Sequence, residues 1–155
     1  MKRTLILIVA LACLLVAGCQ EQQITAWMLS GADVDNESNE IVGRVGLAQG
    51  GTEIGVQSDW IGVHGERQWY GVYGAIDLPI DPNIVGQPYL GYQASVANNK
   101  EDGNTFGPIL GTKYPLAKNA DFAVEGWYRS FRDGSKESPV ADDQWKAVAG
   151  LRYKF

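Results

Sequence analysis

The residues from 23 onward alternate between apolar and polar side chains in eight stretches, and this alternation constrains the fold more than any other feature. A period of two residues predicts β-strands, because successive side chains of a strand point to opposite faces. Turn-rich segments separate the stretches, and helical periodicity is almost absent. The predicted strands span residues 23–31, 40–49, 52–61, 66–77, 87–97, 104–114, 120–131 and 143–155. We therefore predict an all-β fold, an eight-stranded antiparallel up-and-down (meander) β-barrel.

A tight turn between the second and third strands predicts their register. Gly50 and Gly51 form a two-residue hairpin loop, since glycine accepts the positive φ angles of such turns. Gln49 then faces Thr52, and the numbers of paired residues sum to 101. One face carries the pairs Leu47 with Ile54, Val45 with Val56, and Ile41 with Trp60. The other carries Ala48 with Glu53, Arg44 with Gln57, and Val42 with Asp59. The turn alone thus yields one apolar face and one polar face.

The polar faces of the strands carry charges of both signs. A water-soluble barrel buries its apolar face, whereas a membrane barrel turns that face to lipid and keeps polar groups in its lumen. Mixed signs suit an ion-pair network inside a narrow barrel, because isolated buried charges are costly. The predicted lumen network consists of Arg44, Glu53, Asp59, Lys113, Glu125, Arg129, Lys146 and Arg152. We predict a barrel of the outer-membrane type, too narrow for a diffusion pore.

The last predicted strand shows the strongest alternation and ends on an aromatic residue. Its apolar positions run at every second residue from Trp145 to Phe155, against a face that carries Lys146, Arg152 and Lys154. This pattern resembles the closing strand of outer-membrane barrels. The resemblance implies that Leu151, Tyr153 and Phe155 form the signal that the barrel-assembly machinery reads. The seventh strand is similar, with Phe122, Val124, Gly126 and Tyr128 predicted outward and Asp121, Glu125 and Arg129 inward.

The last third of the chain resembles a known family. Residues 110–114, Tyr128-Arg129 and residues 150–155 are similar to the small outer-membrane β-barrel family that includes the transmembrane domain of outer membrane protein A. The resemblance is specific for architecture and implies no activity.

The first residues are typical of a lipoprotein signal peptide. Lys2 and Arg3 precede an apolar run over 5–16 that is too short for a permanent membrane helix. The run ends in Val16-Ala17-Gly18-Cys19, which resembles the lipobox of bacterial lipoproteins. That resemblance implies cleavage before Cys19, which the lipoprotein-processing machinery then acylates. The predicted regions are a signal peptide over 1–18, a lipidated linker over 19–22 and the barrel over 23–155.

Charge and cysteine content exclude several classes of function. Without Lys2 and Arg3 the chain keeps 11 basic against 18 acidic residues, a net charge near −7, which argues against a nucleic-acid partner. Cys13 lies in the predicted signal peptide and Cys19 is predicted to be lipidated, so no thiol remains for a disulfide or metal site. We expect no cofactor and no metal.

Loop lengths predict an orientation. With both termini in the periplasm, the connections over 31–40, 61–66, 97–104 and 131–143 face outward and are mostly polar or acidic. The opposite end has the short turns expected of outer-membrane barrels, apart from 78–86. Gln20 follows the cysteine where an Asp would mark inner-membrane retention. The predicted location is the bacterial outer membrane, with outer-membrane lipid as the main partner.

Two motifs suggest chemistry only weakly. His64, with Ser58 and Asp59, allows a hydrolase-like triad to be sketched, but a lone loop histidine is usually solvated. The alternating acids over 33–37 lack the central glycine and distal Glu of a calcium loop. We predict a structural or surface-interaction role without catalysis, a surface ligand being left unidentified. The alternatives are a lipid-anchored, lipocalin-like soluble barrel that binds a small apolar ligand, and a lipid-modifying enzyme.

Two details of the strands are less regular. Pro108 predicts a bulge or a strand end, since it lacks an amide donor. The facing of the fourth strand is undecided, because Trp69 and Tyr73 oppose Tyr70.

Six aromatics are interpreted as interfacial girdles rather than a ligand stack: Trp60, Trp69, Tyr89, Trp145, Tyr153 and Phe155.

Overall fold

A computed structural model describes residues 22–33, 39–61, 67–81, 86–99, 103–132 and 144–155. The predicted signal peptide, Cys19, His64 and most of the acidic segment 33–37 lie outside these ranges. Among the described residues, no helix is long and apolar enough to cross a membrane.

Eight antiparallel strands form one sheet that closes on itself. Each strand pairs with the next along the chain, and the first pairs with the last. The strands are β1 (Gln23–Asp33), β2 (Asn39–Gln49), β3 (Thr52–Ile61), β4 (Arg67–Asp77), β5 (Gln87–Ala97), β6 (Asn104–Ala117), β7 (Ala120–Arg132) and β8 (Gln144–Lys154). The predicted meander barrel is confirmed, and the predicted bounds of β3 and β5 are identical to those observed.

The β2–β3 hairpin has the predicted register. Gln49 pairs with Thr52 and Arg44 with Gln57, so paired numbers sum to 101. Gly50 and Gly51 have φ angles of 57° and 81°. Positive φ at both turn positions matches the twist of the flanking strands, and L side chains rarely adopt it. The turn therefore sets which face of both strands points inward.

The barrel has its charged groups inside, beside a cluster of buried apolar residues that includes Leu29, Val42 and Ile109, and it has a further set of large apolar groups outside. Lys146 and Glu125 are about 2% and 1% exposed, whereas Leu151 is 55% exposed. The exposed large apolar residues of the strands include Ile24, Met28, Ile41, Val45, Leu47, Val56, Tyr70, Ile76, Leu90, Tyr92, Val96, Leu110, Tyr114, Phe122, Val124, Trp145, Leu151 and Tyr153. This facing is opposite to that of a lipocalin-like soluble barrel, which buries its apolar face.

Two aromatics assigned to the interfacial girdle lie in the lumen instead. Trp69 and Tyr89 are 0% and 1% exposed, so their assignment was wrong. Tyr73 is buried as well, while Tyr70 is half exposed on the outside, which settles the facing of β4. These rings carry N–H or O–H groups and polarisable faces, and they therefore pack among charges as readily as among lipid headgroups.

Pro108 causes no shift of register. On one side it pairs with Tyr92 of β5. On the other, pairing with β7 stops at Phe106–Ser130 and resumes at Ile109–Trp127 in the same register. The bulge predicted there is absent, and the irregularity lies at Pro115 and Ala117 instead. Pro108 is exposed on the outer wall.

Glycines on the inner face make room for large lumen side chains. A Cβ atom added at Gly111 would lie 2.5 Å from the ring and hydroxyl of Tyr89. One added at Gly55 would lie 2.7 Å from the Tyr73 ring and 2.3 Å from the backbone oxygen of Val45. Such separations are far inside van der Waals contact, so the aromatic packing of the lumen depends on these glycines.

Candidate functional site

The structure places all eight residues of the sequence-derived lumen network inside the barrel, where they are at most 8% exposed. They belong to three layers stacked along the lumen, each defined here by its charged members. The turn-end layer, near Gly50 and Phe155, contains Glu53, Asp77, Lys113, Asp121, Arg152 and Lys154. The middle layer contains Arg44 and Glu125, and the loop-end layer contains Glu40, Asp59, Arg129 and Lys146.

Glu53 is the centre of the turn-end layer. Its Oε1 accepts hydrogen bonds from Thr25 Oγ1 at 2.5 Å, Trp27 Nε1 at 2.5 Å and Tyr73 OH at 2.7 Å. Its Oε2 accepts from Nε and Nη2 of Arg152 at 3.0 and 2.7 Å. The two-pronged guanidinium contact is the strongest common form of ion pair. One carboxylate thus ties together four strands.

Two further acids complete this layer. Asp121 accepts from Arg152 Nη1 at 2.8 Å and from Lys154 Nζ at 3.0 Å. Asp77 pairs with Lys113, the more exposed pair of the layer. A polar pocket of about 280 Å³ opens beside these groups at the end of the barrel that carries Gly50 and Gly51.

Arg44 crosses the middle of the lumen. Its Nη1 lies 2.6 Å from Glu125 Oε1, which also accepts from Tyr89 OH at 2.5 Å. Its Nε donates to Gln57 Oε1 at 3.1 Å. The guanidinium also lies near three rings, with distances to the centroids of 4.8 Å for Tyr73, 5.3 Å for Trp127 and 5.8 Å for Trp27. These cation–π contacts and the ion pair offset the cost of burying the charge.

Arg129 holds the loop-end layer together. Its Nη2 lies 2.7 Å from Glu40 Oε1 and 2.9 Å from Asp59 Oδ2. Lys146 Nζ lies 3.4 Å from Glu40 Oε2. The side chains of all four residues are 0% exposed. Trp69 covers this layer, with its Nε1 donating to the Gly103 carbonyl at 3.1 Å.

The three layers balance their charges. Together they contain six acidic and six basic side chains, and each acid lies within 4 Å of a base. Buried charges persist only when paired and hydrogen-bonded. Among the described residues, no group of three or more acidic, histidine or cysteine side chains is arranged to hold a metal ion. What the arrangement can do is fill and brace the lumen.

Several lumen residues were missed from the sequence. Glu40 and Asp77 were not assigned to the network, and neither was Asp121, although its inward facing was predicted. Strand parity offers a signal for them: Glu40 lies four residues before Arg44, and Asp121 four before Glu125, so each pair shares a face. The missed residues lie at the ends of strands, where the alternation of side chains gives no sign that the charged network continues.

The sketched triad does not form. Asp59 points into the lumen, while Ser58, its neighbour on β3, points to the outer wall. Adjacent residues of a strand face opposite sides of the sheet, so these two side chains cannot converge. The third member, His64, lies outside the described residues.

The three residues of the predicted assembly signal lie together on the outer side of the barrel, two in β8 and Phe155 directly after it. Leu151, Tyr153 and Phe155 are 55%, 46% and 71% exposed. The rings of Tyr153 and Phe155 stack edge to face with centroids 4.9 Å apart. The Phe155 amide donates to the Ile24 carbonyl at 2.9 Å, which fastens the end of the chain to β1.

Comparison with known proteins identifies the architecture. No protein-family model matches the sequence, and no curated protein matches it. A solved structure from the de novo design of transmembrane β-barrels superposes with a TM-score of 0.63 and 16% identity, over 86% of this chain and 95% of that one. The designed barrel TMB2.3 gives 0.61 and 16%, over 88% and 97%. Neisserial surface protein A (NspA) gives 0.54 and 15%, over 86% and 96%. The chain thus has the fold of an eight-stranded, transmembrane-type β-barrel.

Proposed function

We propose that this protein is a barrel lipoprotein of the bacterial outer membrane that acts without catalysis, in a structural role or in surface interaction through its loops. The observation that carries the proposal is the inverted polarity of the wall. Leu110 and Met28 are 60% and 65% exposed, whereas Arg129 and Glu125 are buried. In water this arrangement would expose a continuous apolar belt; in a bilayer it places that belt against lipid.

The closure of the sheet supports residence in lipid. Hydrocarbon offers no hydrogen-bond partners, so a sheet can span a membrane only when it has no free edge. Pairing of β1 with β8 from Thr25–Lys154 to Asp33–Lys146 removes that edge. The strands have 10 to 14 residues, which is long enough to cross the hydrocarbon layer at a tilt.

The lipid anchor and the orientation extend this proposal. Cys19 precedes Gln22, the first described residue, by three positions, and β1 begins at the end of the barrel that carries Phe155 and the Gly50–Gly51 turn. If this end faces the periplasm, acyl chains on Cys19 enter the inner leaflet, and the longer acidic connections reach the cell surface. The lipoprotein-processing and barrel-assembly machineries are then the partners that the chain meets during export.

A role without catalysis is supported by how the titratable groups are used. The lumen acids and bases are engaged with one another, as Glu53 is with five donor atoms. A general acid or base needs access to a substrate, and ion pairs buried among the side chains of the lumen offer little of it.

Cell fractionation and gel mobility test the proposal. We expect the full-length protein in the outer-membrane fraction, with a shift in migration between unheated and boiled detergent samples. Protease added to intact cells should cut within 131–143 and spare the 118–119 turn. A Cys19→Ser variant should lose its acyl mass and keep the heat shift. Release of that variant into aqueous buffer with no heat shift would instead establish a soluble, lipid-anchored barrel.

A further inference from the structure

The outer wall of the barrel is not evenly convex. A depression of about 510 Å³ lies across β1 to β5, and we call it the outer groove. Its lining includes Ile24, Leu47, Val56, Val72, Gly74 and Ala94. A second depression of about 490 Å³ continues it across β3 to β6, and both share Ile54, Gly74 and Tyr92. Their volumes fall in the range of sites that bind small apolar molecules.

The outer groove forms where small residues interrupt two neighbouring rows of paired side chains on the outer wall. One row pairs Leu47 with Ile54 and Ile54 with Gly74, so the wall loses a side chain at β4. The next row pairs Val56 with Val72 and Val72 with Ala94, which shortens the side chains towards β5. Tyr92, half exposed, borders the shallow part.

The groove begins where the chain enters the barrel. Ile24 lines its first part, is 53% exposed, and pairs with Leu47 of β2. Cys19 is five residues earlier, so a fully extended chain places it within roughly 17 Å of Ile24. On the other side of β1, by contrast, the stacked rings of Tyr153 and Phe155 form a ridge. An apolar group attached to Cys19 is therefore within reach of the outer groove.

We propose that an acyl chain carried by Cys19 lies in the outer groove, so that the lipid anchor packs against its own barrel. This inference rests on the proposed lipidation. The occupant is matched to the site in chemistry, because the groove is lined almost wholly by apolar atoms, and in position, because Ile24 connects the two. The anchor then acts as a covalently attached lipid that fills the wall between β1 and β5.

Photocrosslinking tests this placement. Cells grown with a diazirine fatty acid carry the probe on Cys19 and on free lipids; irradiation followed by digestion and mass spectrometry separates the two. A chain on Cys19 that lies in the groove joins the N-terminal lipopeptide to peptides of β3, β4 or β5. Free lipid instead yields barrel peptides without the N-terminal peptide. We expect the lipopeptide links to fall on β3 to β5 at least fivefold more often than on β6 to β8.

Two outward-facing glycines supply a matched pair of variants. A Cβ at Gly74 would lie 3.7 Å from Ile54 Cγ2, and one at Gly126 would lie 3.9 Å from the Lys146 carbonyl, so each site accepts a side chain. Gly74→Leu fills the groove and should lower the lipopeptide links severalfold, while Gly126→Leu, on β7, should leave them unchanged. Heat-shifted migration in both variants verifies that the barrel is intact.

The outcomes separate the two proposals. Intact lipidation and an intact barrel, with links spread evenly around the wall or unchanged in Gly74→Leu, would overturn the groove placement and leave the outer-membrane lipoprotein standing. Links that join two protein molecules would show a neighbouring copy's anchor in the groove and also overturn it. An N-terminal peptide without acyl mass would remove the lipid anchor and the groove placement together.

Discussion

Arg44 shows how one residue connects distant parts of the lumen. It pairs with Glu125, 81 residues away, and is surrounded by three aromatic rings. Its value to the fold lies less in the attraction itself than in the cost of losing one partner, because a lone buried charge has no solvent to stabilise it.

A substitution at Arg44 should therefore lower the stability of the barrel strongly, and a second substitution at Glu125 should restore part of it. We expect Arg44→Met to lower the free energy of unfolding by about 3–5 kcal/mol, since it leaves Glu125 buried without a cation. Arg44→Met combined with Glu125→Gln should recover a large part of that loss. Urea titration of the barrel in lipid vesicles measures both. As a control, Lys154→Met should cost at most about 1 kcal/mol, because Lys154 is 24% exposed and Asp121 keeps Arg152. Additive losses at Arg44 and Glu125 would contradict the pairing.

Gly111 leaves space for the Tyr89 ring because it has no side chain. Gly111→Ala places a methyl group 2.5 Å from Tyr89, whose hydroxyl is bound to Glu125 and cannot swing away freely. We expect a loss of about 1–3 kcal/mol, as for other overpacked cores. The matched change Gly126→Ala, on the open outer wall, should be nearly neutral in the same urea titration. Equal stability of the two variants would argue against the observed packing of Tyr89.

At the scale of the element, β8 both closes the barrel against β1 and carries residues of the predicted assembly signal. Its inner face supplies Lys146 and Arg152 to two layers of the lumen, and its outer face ends on Phe155. The Phe155 amide also extends the pairing of β8 with β1.

Deletion of Phe155 tests the role of this strand end. We expect the deletion to reduce the amount of heat-shifted protein in the outer membrane severalfold, because it removes the terminal aromatic and its bond to Ile24. His64→Ala should leave that amount unchanged. Quantitative blotting of outer-membrane fractions at matched synthesis rates provides the measurement. Equal levels of the two variants would count against an assembly signal at the C-terminus.

Most elements were predictable from strand parity, and the exceptions have a physical cause. The Gly50–Gly51 turn and the alternation in β8 fix facing without reference to the rest of the chain. Trp69 and Tyr89 were misplaced because a ring with a polar group suits both a membrane interface and a charged lumen. The pairing of particular charges, such as Arg129 with Asp59 rather than Glu125, depends on barrel tilt and side-chain reach, which no local pattern records.

At the scale of the whole molecule, the filled lumen determines what can pass. Arg44, Trp127 and Arg129 fill the lumen together with their neighbours, and Trp127 and Arg129 are 0% exposed. Vesicles reconstituted with the protein should swell in small sugars no faster than protein-free vesicles, since eight strands leave room for side chains only. Swelling that rises with the amount of protein, as with a porin control, would show an open channel.

The long sequence separation of the lumen ion pairs has a consequence for the order of events during biogenesis. Glu40 meets Arg129 across 89 residues, and Glu53 meets Arg152 across 99. The β2–β3 hairpin, if it entered the bilayer alone, would bring Glu40, Arg44 and Glu53 into hydrocarbon without the β7 and β8 partners that neutralise them, so we do not expect this hairpin to insert by itself. We therefore expect sheet closure, charge neutralisation and insertion to occur together, and we expect contacts of such large sequence separation to make that step slow. We therefore expect a chain that lacks β8 to have no stable, partly inserted state in the membrane.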